Sequence, residues 1–260
     1  MADYSIRILS DSLKVIDALS AQRRPLTFTQ ISDLTKLNKT RLFRILSNLV
    51  DLHLVDEVNG NYLLGWRLFE IGQTVPQVHG FRLNTHESLR QLSDFIGETA
   101  NFGVLTDGEI LFMDVAEADR TLTTTFKVGS RLPAHLTSIG KAILASWSEQ
   151  QVIQFFKGRP FVRLTPNSVR DLNHLLEQLK VVRERGWALD DQEFAEGVRC
   201  VGVGVKNYAG QTVAAVSISG PASRITDDKI PDIVSELQRV AEEFSRVLGW
   251  GGLNENGTAK

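Results

Sequence analysis

The sequence predicts an α+β protein in two unequal domains, with three short helices closed by a β-hairpin in the first and an antiparallel sheet flanked by helices in the second. Three observations carry this. The 260 residues are too many for one minimal domain and few for three. Up to residue 49 the apolar positions recur every three or four residues, and two short strand-like runs around Asn59-Gly60 follow. Beyond residue 80, consecutive strand-like runs joined by short turns lie between helical segments, the order expected of an antiparallel sheet with helices packed on it.

Element by element, Ile6, Leu9, Leu13, Ile16 and Leu19 mark an amphipathic first helix, ended by Arg23, Arg24 and Pro25. Thr27 through Gln30 has the form of a capping box opening a second helix, with Ile31, Leu34 and Leu37 as its buried face. Asn38 is a favourable N-cap for a third helix whose core face is Leu42, Ile45, Leu46 and Leu49. Strands 54–57 and 61–64 flank Asn59-Gly60, the strongest short hairpin signal. Three helices and a hairpin in this order make a winged helix-turn-helix.

Residues 66–77 read as a connecting helix ending near Pro76. The predicted organisation is therefore a DNA-binding domain over 1–65, a linker helix over 66–79, a second domain over 80–249 and a flexible tail over 250–260. In the second domain helices are expected at 83–96, from Thr137, at 148–157, at 168–186 with Ser168 as cap, and from Thr226 to about Leu248. Strands are expected at 100–106, 109–116, 198–207 and 211–218, with a further apolar, Thr-rich stretch at 121–128.

Composition narrows the function. Apolar residues make up 42% of the chain and its net charge is -2, which excludes a polycation bound to nucleic acid by bulk charge. The charge is unevenly placed: Lys36, Lys39, Arg41 and Arg44 stand together with no acid between Leu34 and Val50. A single cysteine, no leader-like N-terminus and apolar stretches shorter than the ~18 residues of a membrane span predict a soluble cytosolic protein with no membrane partner.

A helix that reads DNA presents short polar and basic side chains at its N-terminal end, which enters the major groove. Lys39, Thr40, Arg41, Arg44, Ser47 and Asn48 meet this on the face opposite the core, beside Thr27 and Asn38 at the two helix starts. Arg41 or Arg44 can pair bidentately with guanine, a contact worth ~1–3 kcal/mol of discrimination. Asn59, Asn61 and Tyr62 at the wing, with Arg23 or Arg24, are placed for phosphate or minor-groove contacts.

Enzyme readings fail on inspection. Gly140-Lys141 lacks both the first glycine of a phosphate loop, where His135 stands, and the Ser/Thr after the lysine, where Ala142 stands. The run VGVGV at 201–205 lies inside a strand rather than at a strand-to-helix turn. Asp190, Asp191, Glu193 and Glu196 have no His or Cys at ligand spacing and read mostly as a solvated turn. Cys200 with His135 is a conceivable nucleophile and base, but a buried cysteine is most often an apolar filler. No cofactor, metal or catalytic residue is expected.

Taken in order, LNKTRLFRILSNL, NYLLG, GSRLPAHLTSIGKAILA, LKVVRERGWALDDQEFAEGVRCVGV and VAAVSISGPASRITDDKI resemble the IclR family of regulators over about residues 5–249. The resemblance implies a GAF-like C-terminal domain that binds an effector, a homo-oligomer (a dimer or dimer of dimers) on double-stranded operator DNA, and control of a catabolic operon by a keto, hydroxy, sugar or aromatic acid. It places Ser138 and Ile139 where backbone amides meet a ligand carboxylate, and matches Asp190, Cys200, Ser217 and Ser219 to the polar wall of keto-acid-binding members. Effector binding is expected to act on the DNA-reading heads through the linker helix. The chain departs from the family at Lys36 and His53, where glycine is usual, at Thr40-Arg41, where Ser-Thr is common, and at Gly204, where proline is common.

Overall fold

The computed structural model describes residues 6–22, 24–78, 85–121 and 126–251 and divides into two compact units, 1–81 and 82–260. The expectations at Arg23, across the middle of 121–128 and over most of the tail fall outside the described residues.

In the first unit, α1 (Arg7–Gln22), α2 (Phe28–Thr35) and α3 (Lys39–Asp51) pack around Val15, Leu19, Leu26, Ile31, Leu42, Ile45, Leu46, Leu49 and Val55. Both expected caps form. Thr27 Oγ1 accepts from the Gln30 amide while the Gln30 side chain accepts from Thr27 N, and Asn38 Oδ1 accepts from Arg41 N at 2.9 Å. The hairpin pairs β2 (Val55–Val58) with β3 (Asn61–Leu64). Its turn residues Asn59 and Gly60 lie at φ 53° and 74°, the two left-handed positions that a two-residue hairpin loop demands. A short β1 (Leu26–Thr27), absent from the sequence reading, adds a third strand on the far side of β3. Helix α4 runs from Trp66 to Val78, past Pro76.

Two expectations in this unit are corrected. Ile6 just before α1 and Leu9 and Leu13 on it are exposed, at 62, 61 and 58%, whereas Asp11, Val15 and Leu19 are buried. The helix carries apolar side chains on more than one face, and α2 and α3 cover the one that includes Val15. Leu34 is also exposed, because α2 is only two turns long and buries Ile31 alone.

The second unit is built on a six-stranded antiparallel sheet in the order β6-β5-β4-β9-β8-β7, from β4 (Thr99–Thr106), β5 (Glu109–Ala116), β6 (Arg131–Pro133), β7 (Ala188–Asp191), β8 (Val198–Lys206) and β9 (Thr212–Pro221). Strands β6 and β7 were not foreseen. Helices α5 (Thr85–Ile96) and α9 (Ile230–Val247) cover one face, where Phe102 meets Phe244 edge to face at 5.5 Å. A 3₁₀ turn (Ala134–Leu136) and α6 (Ser138–Leu144) cover the other, backed by α7 (Glu149–Phe156) and α8 (Leu172–Arg185).

Close approach explains the glycines that resembled phosphate motifs. A Cβ at Gly140 would clash with Ala134 O, and one at Gly202 would lie 2.9 Å from the Ser138 carbonyl carbon, so Gly140 lets the 3₁₀ turn fold against α6 and Gly202 lets α6 press onto β8. Two caps are corrected. Helix α8 starts at Leu172 under Asp171, whose Oδ1 accepts from His174 N, while Ser168 instead ties Leu164 N and Thr165 N to Glu193 O. Helix α9 starts at Ile230 rather than after Thr226, with no side-chain cap.

Candidate nucleic-acid interface and ligand pocket

Along α3 the side chains of Lys39, Thr40, Arg44 and Asn48 are exposed, and Phe43 is exposed beside them. Arg41 departs from the expectation of a free cation. It is 28% exposed, and its Nε lies 2.7 Å from Oδ2 of the buried Asp11 on α1, which also pairs with Lys14 at 3.1 Å. The Lys14 hydrogen bond and then the Arg41 charge hold the Asp11 carboxyl below the ordinary range, against the opposing effect of burial. The ion pair ties the Arg41 guanidinium to α1 at the start of α3. Asp11 escaped the sequence reading because its partner is thirty residues away on another helix.

The other expected contact residues are partly spent. The Thr27 and Asn38 oxygens cap helices, and Asn48 Nδ2 donates to Arg44 O at 2.7 Å. At the wing Asn59 is exposed, and the half-buried Asn61 donates to Asn59 O at 3.2 Å. Tyr62 packs against the core of the unit, and burial followed by the neighbouring Glu57, which accepts from its hydroxyl, pushes its pKa up. A phenol already directed to a carboxylate is poorly placed to meet phosphate. Arg24 is exposed.

In the second unit, all six residues matched by resemblance line one small cavity. Ser138 and Ile139 come from α6, Asp190 from β7, Cys200 from β8, and Ser217 and Ser219 from β9, with Phe112, Phe126, Leu132, Thr137 and Phe194 completing the wall. The strand register brings the polar members together: Asp190 pairs with Cys200, Cys200 with Ser219 and Gly202 with Ser217. Thr137 Oγ1 caps α6 through Gly140 N, and the first-turn amides of Ser138 and Ile139 have no carbonyl of their own helix to bind. Phe126 stacks on Phe112 at 4.8 Å, and the free space is about 10 Å³, the size of a single water site. Any organic ligand must therefore displace part of this wall.

The electrostatics set the roles of these groups. Burial pushes the Asp190 carboxyl up to about 6, opposed by Lys141 and by the Glu193 and Phe194 amides that donate to Oδ1 at 2.8 and 3.3 Å. Burial and then Asp190 raise the Cys200 thiol well above its ordinary value, so it is no thiolate nucleophile. Nor does His135 serve it. That ring is buried against Phe156 and Phe161, contacts Val162 O at 3.1 Å, and has its pKa lowered by desolvation. Glu193 belongs to no solvated turn, since it is 4% exposed and accepts from the fully buried Lys141 at 2.6 Å beside Gln178. Among the described residues no cluster has the makings of a metal site. None of the helices among them is long and apolar enough to cross a membrane.

A winged helix-turn-helix with a cationic reading helix, joined to a sheet domain with a lined internal pocket, defines a DNA-binding transcriptional regulator with a C-terminal ligand-binding domain. Comparison with known proteins identifies which kind. Residues 11–58 match the IclR helix-turn-helix domain and residues 73–246 match the C-terminal domain described as bacterial transcriptional regulator IclR. The chain is 32% identical to the HTH-type transcriptional regulator XynR of Escherichia coli K12, over 94% of this chain and 98% of that protein. It is 29% identical to the transcriptional repressor IclR of the same organism, over 97% and 93%. The crystal structure of Thermotoga maritima IclR superposes with a TM-score of 0.77 at 26% identity, covering 95% of this chain and all of that one. The chain belongs to the IclR family, and its relatives named here are regulators rather than enzymes.

Proposed function

We propose that the protein regulates a catabolic operon, as repressor or activator according to where its operator lies, by inserting the N-terminal half of α3 into the major groove. The observation that carries this is the exposed basic end of α3. Lys39 and Arg44 are exposed on it, and Arg41 beside them is held in place by its ion pair with Asp11. Asn59 at the wing tip and Arg24 are positioned for the phosphate backbone.

A homo-oligomer fits the same unit. Ile6 and, on α1, Leu9 and Leu13, with Trp66 (77% exposed) and Phe69 (58%) of α4, leave apolar surface that a second copy would cover on a two-fold operator. In the second unit the effector is a small organic acid whose carboxylate meets the Ser138 and Ile139 amides while its other oxygens meet Ser217, Ser219 and Asp190. It controls operator affinity to the extent that it binds two arrangements of the oligomer unequally.

The test is operator binding by Arg41→Ala, Arg44→Ala and the double variant over a salt series. Loss of a guanine contact lowers affinity by ~1–3 kcal/mol and relaxes one operator position, whereas loss of a phosphate contact flattens the salt slope by about 0.9. Unchanged binding of the double variant to the promoter of the neighbouring operon would end the reading. For the pocket, a thermal-shift screen of small carboxylates should find at least one that stabilises by ~2.7 kcal/mol at a hundred times its dissociation constant.

A further inference from the structure

One fully buried amide beside the pocket has no part in the reading above. Asn101 on β4 is 0% exposed on the sheet face beneath α6, and it stands opposite Ser217 in the β4–β9 register. Its Nδ2 donates to Ser217 Oγ at 3.3 Å and to Ser219 Oγ at 3.1 Å, spending both amide hydrogens on the two serines that line the cavity. Its own carbonyl oxygen is buried with no hydrogen-bond partner among the described residues.

A hydroxyl oxygen that accepts must send its own proton elsewhere. Ser219 has an outlet, because the Cys200 thiol stands opposite it in the β8–β9 register and the Asp190 carboxyl stands opposite Cys200 in the β7–β8 register, all on one face of the sheet. The chain of donors thus crosses four adjacent strands, from Asn101 on β4 through Ser219 on β9 and Cys200 on β8 to Asp190 on β7. At its far end the Asp190 carboxyl also takes two backbone amides. Ser217 is a branch off this chain: it accepts from Asn101, and its proton has no place in the row.

We propose that Asn101 is a positioning residue that fixes the hydrogen-bond polarity of the pocket, turning the Ser217 hydroxyl into a donor aimed at an oxygen acceptor on the effector. This rests on the reading of the cavity as an effector site. It deepens that reading by naming what the β9 wall selects: a carboxylate or carbonyl oxygen against Ser217, in preference to a group that brings its own proton. Were the amide reversed, with its oxygen facing the serines, both hydroxyl protons would turn toward Asn101 and the wall would offer only lone pairs. The two orientations therefore predict opposite ligand preferences.

The experiment uses the full-length protein and glyoxylate, pyruvate, benzoate and 4-hydroxybenzoate as probes, taking forward the acid that binds the wild type most tightly by titration calorimetry. Asn101→Asp keeps the shape but accepts from both serines, and should weaken that acid about ten- to a hundredfold, the worth of one hydrogen bond to a charged group. Should that variant fail to fold, Asn101→Leu, of similar volume, carries the test in a double-mutant cycle. If Asn101 acts through Ser217, Ser217→Ala and Asn101→Leu/Ser217→Ala lose the same affinity. Additive losses, or an Asn101 variant that binds as the wild type does, overturn the proposal.

Failure of all four acids to bind the wild type would count against the choice of effector and leave Asn101 to a ligand-free reading. Cys200 is the chain's one cysteine, so its S–H infrared band reports a single thiol. A displaced band in Asn101→Leu supports the donor chain through Ser219, and an identical band overturns it.

Discussion

Replacing Lys36 and His53 by glycine tests how the reading helix is held. Both residues sit in the left-handed region, Lys36 at φ 57° closing α2 and His53 at φ 58° just after α3, and both are exposed. Each backbone amide is already spent, Lys36 N on Ser32 O and His53 N on Val50 O, both at 2.9 Å, so the conformation is imposed by the helix ends on side chains that disfavour it. A left-handed non-glycine residue costs about 1–2 kcal/mol, and glycine returns roughly 0.5–1 kcal/mol of that as freedom in the unfolded chain. The net gain is about 0.5–1 kcal/mol per site. The two sites flank α3 and are separated by roughly 20 Å of helix, so the gains should add to about 1–2 kcal/mol.

Hydrogen exchange of α3 peptides in the full-length protein reads this directly. Each substitution should slow exchange about two- to fivefold, and the pair about five- to thirtyfold. The two differ in operator binding. Lys36→Gly also removes a cation beside the reading helix and should lower the salt slope by about 0.9, whereas His53→Gly should leave it unchanged. Exchange that stays the same or quickens in both variants would refute the argument that these turns are strained.

Two further substitutions probe the ligand unit. In the folded chain Asp190 keeps its proton up to about pH 6, against 3.8 for the ordinary carboxyl, so the native state binds more protons between those values and stability falls as pH rises from about 4 to about 6. Asp190→Asn should therefore gain up to about 3 kcal/mol at pH 7.5 and nothing below pH 4 in denaturant melts, and a gain equal at both pH values contradicts the burial argument. Lys141→Met strands the buried Glu193 carboxylate and should cost about 3–5 kcal/mol, with most of it recovered on adding Glu193→Gln. A loss below about 1 kcal/mol in the single variant would show that the pair is not what holds α6 to the 190s loop.

Much of this protein could be read from local rules. The Thr27 and Asn38 caps, the core face of α3, the Asn59-Gly60 turn and the strands at 99–106, 109–116 and 198–206 are each specified within a few residues, by a period of 3.6 or 2 or by the chemistry of a helix start. The pocket residues were reached only by resemblance, since nothing local marks Ser217 and Ser219 as facing a cavity rather than solvent. Caps misled at Ser168 and Thr226, where a polar residue at a plausible start was bound into a loop or a turn instead.

From the chain alone, then, came the order of elements, the hairpin wing and the cationic run on α3, because hydrophobic period, capping and charge are properties of neighbours in sequence. Folding decided which face of α1 was buried, that Asp11 would hold Arg41, that Lys141 would meet Glu193 fifty-two residues on, and that Asn101 would reach serines 116 and 118 residues away. Those pairings depend on sheet register and helix packing, which bring together groups no local pattern relates, and burial then sets how strongly each pair is bound.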